Sequence, residues 1–140
     1  KMRFLVIGLG NFGRTLAEEL TDNGHDVIGV DTLEHRVEEV KDRISVAYIL
    51  DATDQISLST LPLKDINCAI VAIGQSMDNS LRTVAALKAL KISKIYARAL
   101  DDVHKSILDA MNIGKIFIPE SYAARIFADK FIGDTTEQMI

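Results

Sequence analysis

Two kinds of pattern alternate along this chain. Compact apolar runs occur at Phe4–Ile7, Asp26–Val30, Val46–Leu50, Cys68–Ile73, Lys94–Arg98 and Lys115–Ile118, and each reads as a strand. Between them lie stretches with apolar positions at helical spacing: Asn11–Asn23, Leu33–Lys41, Gln55–Thr60, Met77–Leu90, Val103–Met111 and Ser121–Phe131. The boundaries carry stop and start signals. Gly24 is placed to end the first helix, Asn112-Ile113-Gly114 the fifth, Thr32 to cap the second, and Pro119 to open the last. The run Cys68–Ile73 is apolar throughout, as a strand covered on both faces should be. Strands alternating with helices predict an α/β fold with a parallel sheet.

The turn after the first strand sharpens that fold. Phe4–Ile7 stops at Gly8, Gly10 and Gly13 follow, and the helix is under way by Arg14. This is a G-x-G-x-x-G pattern with a strand before it and a helix after it. Gly8 permits the turn, Gly10 lets a pyrophosphate approach the backbone, and Gly13 lets the helix lie close to the strand. Unpaired amides and the dipole at the helix start favour a phosphate there. The expected architecture is Rossmann-like: a doubly wound six-stranded parallel sheet in the order 3-2-1-4-5-6.

Composition limits what such a site serves. The 140 residues suffice for one ordinary domain, and 48% apolar with 26% charged is a globular profile. A net charge of −4 argues against a nucleic-acid surface. The longest apolar run is far too short for a bilayer span, and Lys1-Met2-Arg3 leads straight into a strand with no signal-peptide pattern. A cytoplasmic protein, or the cytoplasmic part of a larger one, is expected. The single Cys68 reads as a buried, inert thiol. His25, His35 and His104 form no metal spacing and are expected at the surface, and Ser76, Ser80 and Ser106 have no recognisable base partner.

Other candidates gather at the predicted carboxyl ends of the strands. Asp31 ends the second strand at the spacing where a carboxylate meets an adenosine ribose; the alternative is a capping or surface aspartate. Thr32 follows it where an Arg would hint at a 2′-phosphate. Arg36, a turn further on, either lies over an adenine or makes a surface ion pair. Asp51-Ala52-Thr53 is either a base-binding segment, with Ala52 giving room and Asp51 accepting from an amino group, or a side-chain-stabilised turn. Ile73 and Gly74 end the fourth strand across the switch point. Arg98 either meets a phosphate or pairs with Asp101 or Asp102. Glu120 is placed to cap the last helix or to meet a cation. That helix carries Tyr122, Ala123, Ile126, Phe127 and Phe131, either for packing on its own sheet or as an interaction surface.

Taken together, GLGNFGRTLA, Asp31, the Asp51-Ala52-Thr53 segment, the strand KIYARA and the IPES that precedes the last helix resemble the RCK/KTN (TrkA-N type) domain of potassium transport systems. The resemblance spans about residues 2 to 133, leaving 134–140 as a linker or the start of a further lobe. It implies a regulatory lobe for NAD(H) or an adenine nucleotide (AMP, ADP or ATP), and control of a potassium channel or transporter through an oligomeric ring. It implies homodimers held in part by a C-terminal crossover helix, here Ser121–Phe131, at the inner face of the membrane without direct insertion. Gly8, Gly10 and Gly13 then hold the phosphates, Asp31 the ribose and Asp51-Ala52 the base, Arg98 corresponds to a basic strand-end position that reaches phosphate, and Asn11, Phe12, Thr32, Arg36, Thr53, Ile73 and Gly74 complete the expected binding site. Glu120 corresponds to an interface glutamate that helps bind a cation in some members. Asn11 stands where some ATP-responsive members carry Arg, which favours NAD(H) or a shorter nucleotide. The alternative is the NAD-binding domain of a dehydrogenase whose catalytic domain is absent.

Overall fold

The computed structural model describes the backbone of residues 1–139 and the side chains of residues 1–134. Strand β1 (Arg3–Ile7) leads into helix α1 (Asn11–Asp22). The alternation continues through β2 (Asp26–Asp31), α2 (Glu34–Val40), β3 (Val46–Ile49), α3 (Gln55–Ser59), β4 (Cys68–Val71), α4 (Met77–Ala89), β5 (Ile95–Arg98), α5 (Asp102–Ala110), β6 (Lys115–Phe117) and α6 (Pro119–Met139). The sheet is parallel throughout, in the expected order β3-β2-β1-β4-β5-β6.

The two-residue period of a strand explains the two cores. In β1, Leu5 and Ile7 join the face that carries Leu58 of α3, Val84 and Leu87 of α4, and Leu108 of α5. Val6 points the other way, among Ala17 of α1 and Val37 and Val40 of α2. A one-residue slip of β1 would exchange these sets, so the register is firmly specified. All four β4 residues are buried, as their unbroken apolar character predicts. Complete burial of Leu5, Val6 and Val71 stabilises by roughly 2 kcal/mol per side chain.

Helix ends follow local chemistry. After α1, His25 N–H donates to Leu20 O and Gly24 N–H to Thr21 O, with Gly24 at φ 88°, a glycine-terminated Schellman motif. After α4 the same geometry falls on Lys91, at φ 62°, and after α5 Asn112 takes the left-handed position, at φ 56°, its N–H donating to Asp109 O. Thr32 does not cap α2: Leu33 occupies the cap position, and Asp31 Oδ1 accepts from its N–H at 2.9 Å. β4 stops at Val71, two residues earlier than its apolar run, and Ala72 and Ile73 continue past it against the glycine loop, their backbone next to Gly8.

The last helix departs most from expectation. It starts at Pro119 and runs to Met139, through the stretch expected as a linker or further lobe; Ile140 lies outside the described residues. One glycine, Gly133, costs about 1 kcal/mol and does not stop it. Every α6 residue from Glu120 to Asp134 is exposed, so packing on the chain's own sheet is not what occupies its apolar side chains. Tyr122, Ala123 and Ile126 wall an apolar hollow with Phe12 and Phe117, and Phe127 stacks on Phe131. Among the described residues no helix is long and apolar enough to cross a membrane.

Candidate functional site

At the carboxyl ends of the central strands, where β1 and β4 part, lies a crevice of about 450 Å³. That is the size range of a small-molecule site, and its place is the topological switch point. The structure brings into its wall Gly8, Gly10, Asn11, Phe12, Asp31, Thr32, Arg36, Asp51, Ala52, Thr53, Ile73, Gly74 and Arg98, together with Glu120. Gly13 does not line it and acts from behind.

The three glycines have different physical reasons. Gly8 sits at φ 98°, and a Cβ there would come within 2.9 Å of the Ala72 and Ile73 backbone. A Cβ on Gly13 would lie 1.7 Å from Gly8 O, so any side chain forces α1 off β1. Gly10 is different: its φ is an ordinary −70°, and a Cβ would meet only the tip of Arg36, at 3.9 Å. Its missing side chain leaves space in the crevice. Gly10 is also the N-cap of α1 and offers no side-chain cap, so the start of that helix faces the crevice with its partial positive charge uncompensated.

Asp31 is 7% exposed. Its Oδ2 accepts from Leu9 N–H at 2.8 Å and faces Arg36 at 3.5 Å, while Oδ1 takes Leu33 N–H. It pins the glycine turn to the β2–α2 turn. A carboxylate has about four acceptor directions, so one is left for a ligand hydroxyl. Arg36 therefore makes an ion pair within the crevice, not on the outer surface. Asp51 Oδ1 accepts from Thr53 N–H at 3.0 Å and Thr53 Oγ1 at 2.6 Å, the side-chain-stabilised turn, with buried Ala52 between them at the crevice wall.

On the opposite wall Arg98 reaches three elements. Its guanidinium carbon lies 5.7 Å from the Phe12 ring centre. Its Nη1 passes so near Gly74 that a Cβ there would be 2.9 Å away. Its Nη2 donates to Glu120 Oε1. The pairing with Asp101 or Asp102 is not made; Asp101 instead caps α5, accepting from His104 N–H at 2.8 Å. Arg98 Nε is buried with no partner. Among the described residues no group of three or more His, Cys, Asp or Glu is arranged to hold a metal.

Sequence reasoning missed the contribution of α4. Gln75, Ser76, Asn79 and Thr83 line the crevice, and the fully buried Thr83 Oγ1 has no partner. The available signal was a polar stripe at positions 76, 79 and 83, helical spacing directly after a buried strand. His104 is a second correction. It is fully buried, not at the surface, because α5 packs it onto α4. Its Nδ1 accepts from Leu100 N–H at 2.9 Å, so the proton sits on Nε2, which donates to Ser80 Oγ at 3.0 Å. A ring nitrogen already donating to the hydroxyl is no base toward it, so this Ser–His contact braces two helices. Burial lowers the His104 pKa, against a smaller upward pull from Asp101. Cys68 is buried as expected, and burial raises its thiol pKa.

Residues 4–119 match the TrkA-N domain family model. The chain is 34% identical over 134 residues to Ktr system potassium uptake protein C of Bacillus subtilis, covering 96% of this chain and 61% of that protein. It thus spans about three fifths of the length of that curated relative. Among solved structures, the NAD(P)-binding domain of an exopolyphosphatase-related protein from Archaeoglobus fulgidus superposes with a TM-score of 0.82 at 22% identity, covering 95% of this chain and 99% of that one. The AMP-bound Kef CTD of Shewanella denitrificans gives 0.74 at 19% identity, covering 94% and 81%. These two likenesses show the fold. With the family model matched from β1 to the start of α6, the chain belongs to the TrkA-N domain family.

Proposed function

We propose that this chain is the nucleotide-binding regulatory domain of a potassium transport system, and that a ligand in the β1/β4 crevice sets the geometry of an oligomeric assembly. The observation that carries this reading is the start of α1: an uncapped helix N-terminus beside Gly10, whose missing side chain leaves room for a phosphate. NAD(H), AMP, ADP or ATP each present such a phosphate. The glycine turn holds it, Asp31 accepts from a ribose hydroxyl, and the Asp51–Thr53 turn borders the base. One structural relative is an NAD(P)-binding domain and the other is bound to AMP, which supports the same chemistry, and the Ktr relative supports the transport role.

The wall offers recognition groups, and the regulatory reading assigns them no bond to break. Control then follows from differential affinity: a nucleotide that fits one arrangement of the assembly better shifts the population toward it. The exposed apolar residues of α6 support a homodimer through that helix, in a larger ring on the inner face of a membrane channel or transporter. Rubidium uptake tests the role in cells lacking the full-length protein and complemented with wild type or Gly10→Asp. Uptake restored by wild type but not by Gly10→Asp is expected. Uptake indifferent to the presence of the protein contradicts the proposal.

A further inference from the structure

Helix α4 carries two fully buried hydroxyls, Ser80 and Thr83, and they are treated differently. Ser80 turns to α5 and meets His104 Nε2 at 3.0 Å. Thr83 lines the crevice, and its Oγ1 has no partner among the described residues. A threonine inside a helix commonly satisfies its hydroxyl on the carbonyl four residues back. Thr21 of α1 does so, donating to Ala17 O at 2.9 Å. Thr83 makes no such bond to Asn79 O, so its hydroxyl is turned from its own backbone. A buried hydroxyl is costly to leave unpaired. A ligand in the crevice is the partner at hand.

The surroundings say which part of a ligand this is. Helix α3 starts just after the Asp51–Thr53 turn and packs on α4. Ala52 of that turn shares one core cluster with Leu58 of α3 and with Val84, the residue after Thr83. The turn and α4 are thus two walls of the same side of the crevice. Ala52, Ile73 and Thr83 carry no charge, and the carboxylates of Asp31 and Asp51 border the crevice too. Two carboxylates and no free cation disfavour a phosphate beside the turn, whereas apolar walls with one neutral hydroxyl suit a flat heteroaromatic ring.

We infer that Thr83 Oγ1 hydrogen-bonds the polar edge of the nucleotide base, so that α4 sets base specificity from the wall facing the Asp51–Thr53 turn. This rests on the crevice being a nucleotide site. A hydroxyl both donates and accepts, so it serves a ring nitrogen or an exocyclic amino group. A base with an apolar edge leaves it buried and unpaired, and a site built around a hydrogen bond rejects such an analogue. The hydroxyl therefore works against stability until a base is bound and for affinity afterwards.

The test is calorimetric titration of wild type, Thr83→Val and Thr83→Ser with AMP, NADH and benzimidazole riboside 5′-phosphate. The last keeps sugar and phosphate but has no polar atom in its six-membered ring. Thr83→Val, nearly the same shape without the hydroxyl, should weaken AMP and NADH alike, by roughly three- to tenfold, the worth of one hydrogen bond. It should leave the benzimidazole analogue within about twofold, by the same measure. Thr83→Ser should bind AMP more tightly than Thr83→Val does. Without nucleotide, Thr83→Val should melt no lower than wild type. Unchanged AMP affinity in Thr83→Val, an equal loss for the analogue, a loss confined to NADH, an equal loss in Thr83→Ser, or a lowered melting temperature each overturns the assignment of Thr83 and leaves the nucleotide site intact. If wild type binds neither AMP nor NADH, the proposed function and this inference fall together.

Discussion

At Gly13 one methyl group decides whether α1 can lie on β1. A Cβ placed 1.7 Å from Gly8 O must push the helix outward, so Gly13→Ala should destabilise by about 3 kcal/mol, the upper range for overpacking, read as a lowered denaturant midpoint. Gly10 gives the opposite outcome from the same motif. Its Cβ position is open and it caps α1, where aspartate is a preferred residue. Gly10→Asp should therefore keep or raise the melting temperature while placing a carboxylate where a phosphate belongs. A variant that unfolds would contradict the division of labour between the two glycines. The glycines and Asp31 were legible because their demands are local: a turn, a close approach, a strand end. Arg98 was placed at the right strand end, but its partner Glu120 lies 22 residues away, and nothing local distinguishes it from Asp101 or Asp102.

Apart from the end of α6, secondary structure was legible to within a few residues because the strands are short apolar runs, the central ones buried, and the helices keep their period. What local pattern could not reveal is which polar side chains two packed helices share. His104 was expected at the surface because no spacing tied it to a partner; the packing of α5 on α4 buries it against Ser80. Burial lowers its folded pKa below the usual value near 6.5. The unfolded chain then binds more protons as pH falls, so this contribution is present above about pH 6.5 and is lost on acidification. Wild type should melt at progressively lower temperature from pH 7 to pH 5.5, and His104→Gln should show a flatter dependence. Equal slopes would place the sensitivity elsewhere. Lys91 marks another element-scale cost: at φ 62° it ends α4 in a conformation glycine adopts freely. Lys91→Gly should stabilise by about 0.5–1 kcal/mol in chemical denaturation.

For the whole molecule the open question is what the long exposed α6 does. Its amphipathic stripe was visible in sequence, but its extension to Met139 was not, since the polar residues past Phe131 carry no apolar period to count. Phe127 is 53% exposed and stacks on Phe131, so glutamate at 127 costs the isolated fold little but buries a charge in a helix-mediated dimer. Phe127→Glu should lower the mass seen by light scattering to that of a monomer; an unchanged mass removes α6 from the interface. The central claim, that the glycine turn is the receptor site of a sensor, is tested most directly by calorimetric titration of wild type and Gly10→Asp with NADH, NAD, AMP, ADP and ATP. Saturable binding of at least one of these to wild type, one per chain, and its loss in a folded Gly10→Asp is the predicted result. No binding by wild type, or the same affinity in Gly10→Asp, would contradict it.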